Sequence, residues 1–249
     1  MGIASVYPAS PEVANLFHAH VGDPEARTES TWDSPSGRVY SWRWSLGRSQ
    51  AAFYAPVVRK KATFLRWSLL APVLRLVADR RTPDELYDTG AISAAAYRIA
   101  RVLEAAETPV STGDIRREAD FPAGRESGAA YHKALAELDD RLLITSEFMD
   151  DEGQKHHGLI YLRHRNDIEA ADAMPADEAM ILLLRAYLPA ASYIVPAVLA
   201  RHLRLDKPLL DSALEGLCSS GEVMPVEMPG QKGAAYAWTE ALGQPPKRQ

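Results

Sequence analysis

The chain has 249 residues, 47% of them hydrophobic and 24% charged, with a formal net charge of -5 at pH 7. That composition belongs to a globular protein with room for one large domain or two to three small ones, and it excludes a disordered or fibrous chain. No stretch approaches 18 uninterrupted apolar residues and the first thirty lack a secretory leader, so the chain is expected to be cytoplasmic with no membrane partner. Cys218 is the single cysteine, which rules out an intrachain disulfide or a cysteine-rich zinc site. A small buried residue in a helix is its expected role.

Charge is segregated along the chain. Between Ser34 and Ala78 stand Arg38, Arg43, Arg48, Arg59, Lys60, Lys61, Arg66 and Arg75 with no Asp or Glu among them. Such a stretch builds a local positive field whatever the total charge. The same stretch carries Trp42, Phe53, Tyr54, Phe64 and Trp67. They either form the core of an N-terminal domain with arginine stems laid over them, or stack on unpaired bases. Arg59, Lys60 and Lys61 are expected at phosphates.

From Ser93 onward the sequence reads as a pattern made twice. Ser93 caps a helix to about Ala106, with Ala96, Ile99, Ala100 and Leu103 at helical spacing. Ser111 or Thr112 caps a short helix, TGDIRREA, and Phe121 to Gly124 make a turn. A third helix follows, ESGAAYHKALAELDDR, with Tyr131, Ala134, Leu135 and Leu138 on one face. The period then shifts to two in LLITSEF and GLIYLR, strand-like runs flanking DDEGQKHH.

The second copy starts near Pro175. DEAMILLLRAYL and SYIVPAVLARHL are its first two helices, Pro196 being tolerable in a first turn. Asp206 caps KPLLDSALEGLCSS, Gly221 ends it, and EVMPVEM and AAYAW form a hairpin joined by PGQKG. Laying Ala134, Leu135 and Leu138 over Ala213, Leu214 and Leu217 aligns the two third helices. Three helices and a hairpin describe a winged helix, whose third helix can enter the DNA major groove and whose hairpin touches the backbone. The fold class expected is therefore mainly α with small β-hairpins, α+β, built on tandem winged-helix (helix-turn-helix) domains. The divisions are 1–90, a basic and aromatic N-terminal domain open to being a diverged winged helix, then 91–166, 175–240 and a disordered tail at 241–249.

The candidate DNA contacts are Arg43, Arg59, Lys60, Lys61, Arg66, Arg116, Arg117, Arg125, His132 and Lys133, to phosphates or guanine edges. A solvated helix face accounts equally for each of those after 90. The second copy's third helix shows Lys207, Asp211 and Glu215 and is expected to pack against protein. His156 and His157 are adjacent on a strand and cannot face one ion, so they read as wing residues touching phosphate or solvent, and no metal or cofactor is expected. Asp139-Asp140 and Asp150-Asp151-Glu152 occupy a helix end and a turn, ordinary places for Asp.

The runs FYAPVVRKKATFLRWSLLAPVL, DELYDTGAISAAAYRIARVLEAAETPVSTGDIRREADF and AAYHKALAELDDRLLITS resemble the winged-helix DNA glycosylase superfamily of the AlkZ and YcaQ type, its AlkZ-related group above all. The resemblance runs from about Trp42 to Arg165 and more loosely beyond. It implies tandem winged helices forming a positively charged DNA channel, and an activity that excises alkylated or crosslinked bases. That superfamily positions a water with a Gln-x-Gln or Gln-x-Asp motif. Here Gln50, Gln154, Gln231, Gln244 and Gln249 are all isolated, so a substitute such as Asp33 or Gln50 would have to orient the water.

Three functions follow as expectations. The first is a monomeric DNA-binding protein whose partner is double-stranded DNA, damaged DNA included, without the usual catalytic motif. The second is an active DNA glycosylase with a diverged site. A winged-helix protein-protein scaffold is the third.

Overall fold

The structure, a computed structural model, describes residues 2–10, 13–149, 155–191, 193–228 and 233–242. Its N-terminal third is built on a sheet of β1 (Ile3–Ser5), β2 (Phe53–Val58) and β3 (Lys61–Leu65), with β3 in the centre and both pairings antiparallel. Between β1 and β2 run α1 (Leu16–Val21) and α2 (Pro35–Arg48). The sequence reading assigned no elements to this part. Its strands announce themselves weakly, because FYAPVV is buried at nearly every position and lacks the alternation of a half-exposed strand. The hairpin turns on Arg59 and Lys60, both at positive φ (49° and 59°), the backbone a two-residue hairpin turn demands but two long side chains rarely adopt.

After α3 (Leu70–Val77) and α4 (Pro83–Asp88), the latter opened by a reciprocal Thr82–Glu85 capping box, comes a unit with its own core. In chain order it is α5 (Ala94–Ala105), β4 (Val110–Ser111), α6 (Thr112–Glu118), α7 (Arg125–Asp139), β5 (Ile144–Glu147) and β6 (His156–Leu159). Ser93 and Ser111 cap α5 and α6 through their hydroxyls. The sheet order is β4-β6-β5. Ile99, Ala100, Ile115, Tyr131, Leu138 and Ile144 are closed to solvent, each large apolar side chain contributing about 1.5–3 kcal/mol.

GLIYLR is only half a strand. Its pairing ends at Leu159 opposite Ile144, Ile160 spends its N–H on the Leu143 carbonyl at 2.9 Å, and the chain then turns into α8 (Ile160–Arg163). A helix the sequence reading passed over, α9 (Arg165–Ala173), leads to the second copy: α10 (Ala176–Tyr187), α11 (Pro196–Leu203), α12 (Lys207–Ser219), β7 (Val223–Val226) and β8 (Ala235–Trp238). Ile194, just before α11, bridges Tyr236 of β8 with two 2.8 Å backbone bonds. That reproduces the place of β4 beside β6, so the copies share strand order as well as helix order. The segment expected as a tail begins inside α13 (Thr239–Leu242), and 243–249 lie outside the described residues, as do 150–154 of the first hairpin and 229–232 of the second.

The core of the second copy is not its own. Leu183, Leu184, Leu210, Leu214 and Leu217 pack in one cluster with Ile3, Phe53, Leu65 and α3. Cys218 sits in α12 as expected but only half-buried, against the edge of that cluster. Among the described residues no helix is long and apolar enough to cross a membrane.

Candidate nucleic-acid interface

Ser34 caps α2 by accepting the Gly37 N–H, and Pro35 fills the first turn. One turn along, Tyr40 and Arg43 meet at i, i+3, with the guanidinium carbon 3.4 Å above the tyrosine ring and 5.0 Å from the Trp44 ring. The head of Arg43 lies beside the hydroxyl of Tyr54 on β2; burial raises that hydroxyl's pKa and Arg43 opposes the rise. Over the Tyr54 ring, at 5.0 Å, stands the ammonium of Lys155, from the residue that enters β6. The Lys155 carbonyl accepts both the N–H and the hydroxyl of Thr112 at 3.2 Å. Thr112 in turn lies close to the buried Tyr131 hydroxyl, which makes no well-formed hydrogen bond and is pushed up to about 12 by burial. Finally, the Arg116 guanidinium sits 5.7 Å over the Tyr131 ring.

Three cations from three segments, Arg43, Lys155 and Arg116, are thus threaded along one seam by two tyrosines. The Nε atoms of Arg43 and Arg116 are buried with no acceptor, so neither guanidinium is fully used by the protein itself. Asp139, at the end of α7, joins the seam. Although part of its surface is open, protein surrounds it on most sides; burial pushes its carboxyl up to about 7, nearby Lys155 pulls it down and Asp140 adds to the rise. Burial lowers the Lys155 ammonium, Asp139 opposes that, and Arg43 reinforces it.

The other cations named from sequence fall into two groups. Arg59 and Lys60, exposed at the hairpin tip, find partners within the chain: Arg59 donates to the Ala9 carbonyl through its side chain and to His202 O at 2.9 Å through its backbone, and Lys60 pairs with Asp140. Lys61 is exposed beside them, and Arg66 is exposed at the other end of β3. On α6 and α7, Arg117 pairs with Asp114 at 2.6 Å, while Arg125, His132 and Lys133 are exposed along the outer face. One reading changes. His157 is no surface wing residue: it is 2% exposed, its Nδ1 lies 3.2 Å from the Thr145 carbonyl, and burial drives its pKa down to about 4. The period-two alternation around His156 carried that inward side as its signal. Lys155 was not among the predicted contacts and Asp139 was read only as a helix-end residue, because nothing local ties residue 155 to residues 54 and 139.

On the far side of Tyr54 and Phe148 opens a cleft of about 660 Å³, lined by Gln50, Trp67, Glu147, Arg163 and His164 among others. Gly47 is required there, since a Cβ would stand 2.1 Å from the Phe148 ring. Trp67 donates its indole N–H to the Gln50 carbonyl at 2.6 Å, and Arg163 donates to Glu147 at 3.2 Å. His164 packs edge-on to Phe53 at 5.3 Å; its Nε2 is buried without a partner and burial lowers its pKa. Asp33 is not part of this lining.

The mixed α+β fold is similar to the solved structure of Streptomyces sahachiroi DNA glycosylase AlkZ, with a TM-score of 0.52 and 17% identity over 85% of this chain and 58% of that one. Less than two thirds of the AlkZ chain is therefore spanned. A family model described as AlkZ related matches residues 1–161, and the chain belongs to that family. None of the curated proteins is a match.

Proposed function

We propose that the protein binds double-stranded DNA through tandem winged helices, with the seam Arg43–Lys155–Arg116 at the centre of the interface. The observation that carries this reading is the seam itself: cations from α2, the hairpin and α6 each stand over a tyrosine ring, two of them with an Nε that no acceptor takes. Arginine and lysine in such a row suit successive backbone phosphates. The repeated order of helix, short strand or bridge, two helices and hairpin supports the winged-helix reading, in which α7 enters the major groove. Arg125, His132 and Lys133 on its outer face then meet base edges or phosphates. The separate apolar cluster of Leu86 to Leu159 supports 91–166 as a domain in its own right, beside 1–90 and 175–240.

Duplex affinity measured against salt tests the proposal. Several phosphate contacts should give a slope well below zero, and Arg43→Ala or Arg116→Ala should each flatten it by about 1. A flat salt dependence in the intact protein, or unchanged slopes in both variants, defeats it.

An active glycosylase with a diverged site is favoured by one observation, the cleft holding Gln50, Glu147 and His164. A carboxylate and an amide at one cleft can orient a water in place of the missing Gln-x-Gln pair. Incubation with alkylated duplex followed by alkali should cut the strand, and Glu147→Gln should stop it. Intact strands across a broad lesion panel reject this second reading.

A further inference from the structure

The lysines of the seam and its surroundings are not alike. Among the described residues, Lys60 and Lys207 are held in ion pairs with Asp140 and Asp211, while Lys61 and Lys133 project into solvent. Lys155 pairs with no carboxylate among the described residues, is half-buried, and is fixed at both ends: Thr112 grips its carbonyl and the Tyr54 face underlies its ammonium. A confined, unpaired amine beside a guanidinium is the setting in which lysine becomes a nucleophile toward carbonyls. On the same seam stands Asp139, near enough for its charge and that of Lys155 to act on each other and, among the described residues, in no ion pair.

We propose that Lys155 is an amine nucleophile that forms an imine with the C1′ aldehyde of an abasic deoxyribose, and that Asp139 is the base for the elimination that follows. The proposal rests on the DNA reading, because Arg43 and Arg116 flank Lys155 where a strand's phosphates would lie. Neutral Nζ adds to the aldehyde carbon of the ring-opened sugar, and loss of water leaves a C=N bond. Asp139 then takes a proton from C2′. The electron pair flows toward the iminium, the C3′–O bond breaks, and the 3′ phosphate leaves with its strand. Water hydrolyses the imine, returning the amine and an unsaturated aldehyde, and Asp139 gives up its proton. No oxidant, reductant or metal enters the balance. Burial acts on both groups in the required direction, toward a neutral amine and a carboxyl that exchanges protons near neutrality.

Borohydride reduction of the full chain with a duplex carrying one abasic site tests this. The expected result is a covalent protein–DNA product whose adduct maps to Lys155 by peptide mass. Lys155→Arg, which keeps a cation, and Lys155→Ala should both abolish trapping. Asp139→Asn should still trap but cut the strand about 100-fold more slowly. An adduct on Lys61, Lys133 or the N-terminus, or undiminished trapping in both Lys155 variants, overturns the proposal. Deoxyribose 5-phosphate, reduced with the protein in a parallel arm, probes the amine without any duplex. A Lys155 adduct with the sugar phosphate but no binding of intact duplex defeats the DNA reading alone. Duplex binding without an adduct in either arm defeats the imine alone.

Discussion

The two copies of the helix-and-hairpin unit share an element order and even the strand or bridge that enters from outside the hairpin, yet they bury their apolar faces differently. Residues 86–159 close a core among themselves. Those of α10, α11 and α12 share theirs with β1, β2, β3 and α3. Their surfaces differ in the same sense. The first copy has cations on α6 and α7 and faces the seam, whereas α12 offers Lys207 already tied to Asp211 and an acidic remainder. The same element order thus goes with two packings: the first unit closes most of its core on itself, and the second is fixed to the N-terminal sheet.

The largest expected effect separates those cores. Leu138 and Leu217 hold corresponding positions and are 0% and 2% exposed, so replacing either with Ala should cost about 2–5 kcal/mol. Hydrogen exchange distinguishes the two. Leu138→Ala should speed exchange in α5, α6 and β5–β6 while the N-terminal sheet stays protected. Leu217→Ala should speed it in α10 and α12 together with α3 and the β2–β3 hairpin. Identical exchange maps would erase the distinction.

Acid should weaken the first copy in particular. His157 is buried neutral in the sheet of that unit, its folded pKa near 4 against about 6.5 in the unfolded chain. Between those values the unfolded state binds more protons, so this stability is complete above pH 6.5 and is lost as the pH falls toward 4. Roughly 2.5 units correspond to about 3 kcal/mol. Melting temperature followed from pH 7 to 4 should therefore fall less steeply in His157→Phe than in the parent chain.

What the sequence made legible follows from how local each cause is. Helices with a one-sided apolar face and a serine, aspartate or glycine at the N-terminal boundary, α5, α6, α7 and α12, lie within a residue or two of where Ser93, Ser111, Gly124 and Asp206 put them. The β2–β3 sheet escaped notice because both of its faces are covered, which removes the alternation that marks a strand. The seam was half legible. Arg43 and Arg116 stood out by charge, but Lys155 gains its character from Thr112 and Tyr54, 43 and 101 positions away, and Asp139 from burial, which only folding creates. Arg59 and Lys60, expected at phosphates, have contacts within the chain that the sequence did not disclose. Their partners, the Ala9 carbonyl and Asp140, are equally remote in the chain.

On the surface the comparison becomes a salt-dependence experiment. Arg201→Ala and Lys207→Ala, on the exposed face of the second copy, should leave the salt slope of duplex binding unchanged where Arg43→Ala and Arg116→Ala each flatten it by about 1. Equal losses from both copies would make the second a DNA-gripping unit despite its acidic helix.

The smallest effect concerns a residue between the two regions. Lys60 leaves the N-terminal hairpin to pair with Asp140 beyond the end of α7, and its side chain remains 65% exposed. An exposed pair of this kind contributes about 0.2–1 kcal/mol. Lys60→Ala should therefore lower stability by that amount in a denaturant titration, and the loss should shrink in high salt. If Lys60 serves the Asp140 contact, Asp140→Asn should remove the same increment, and the double variant should be no worse than either single one. A phosphate ligand would behave otherwise: Lys60→Ala would then flatten the salt slope of duplex binding while Asp140→Asn, which frees the ammonium, would steepen it.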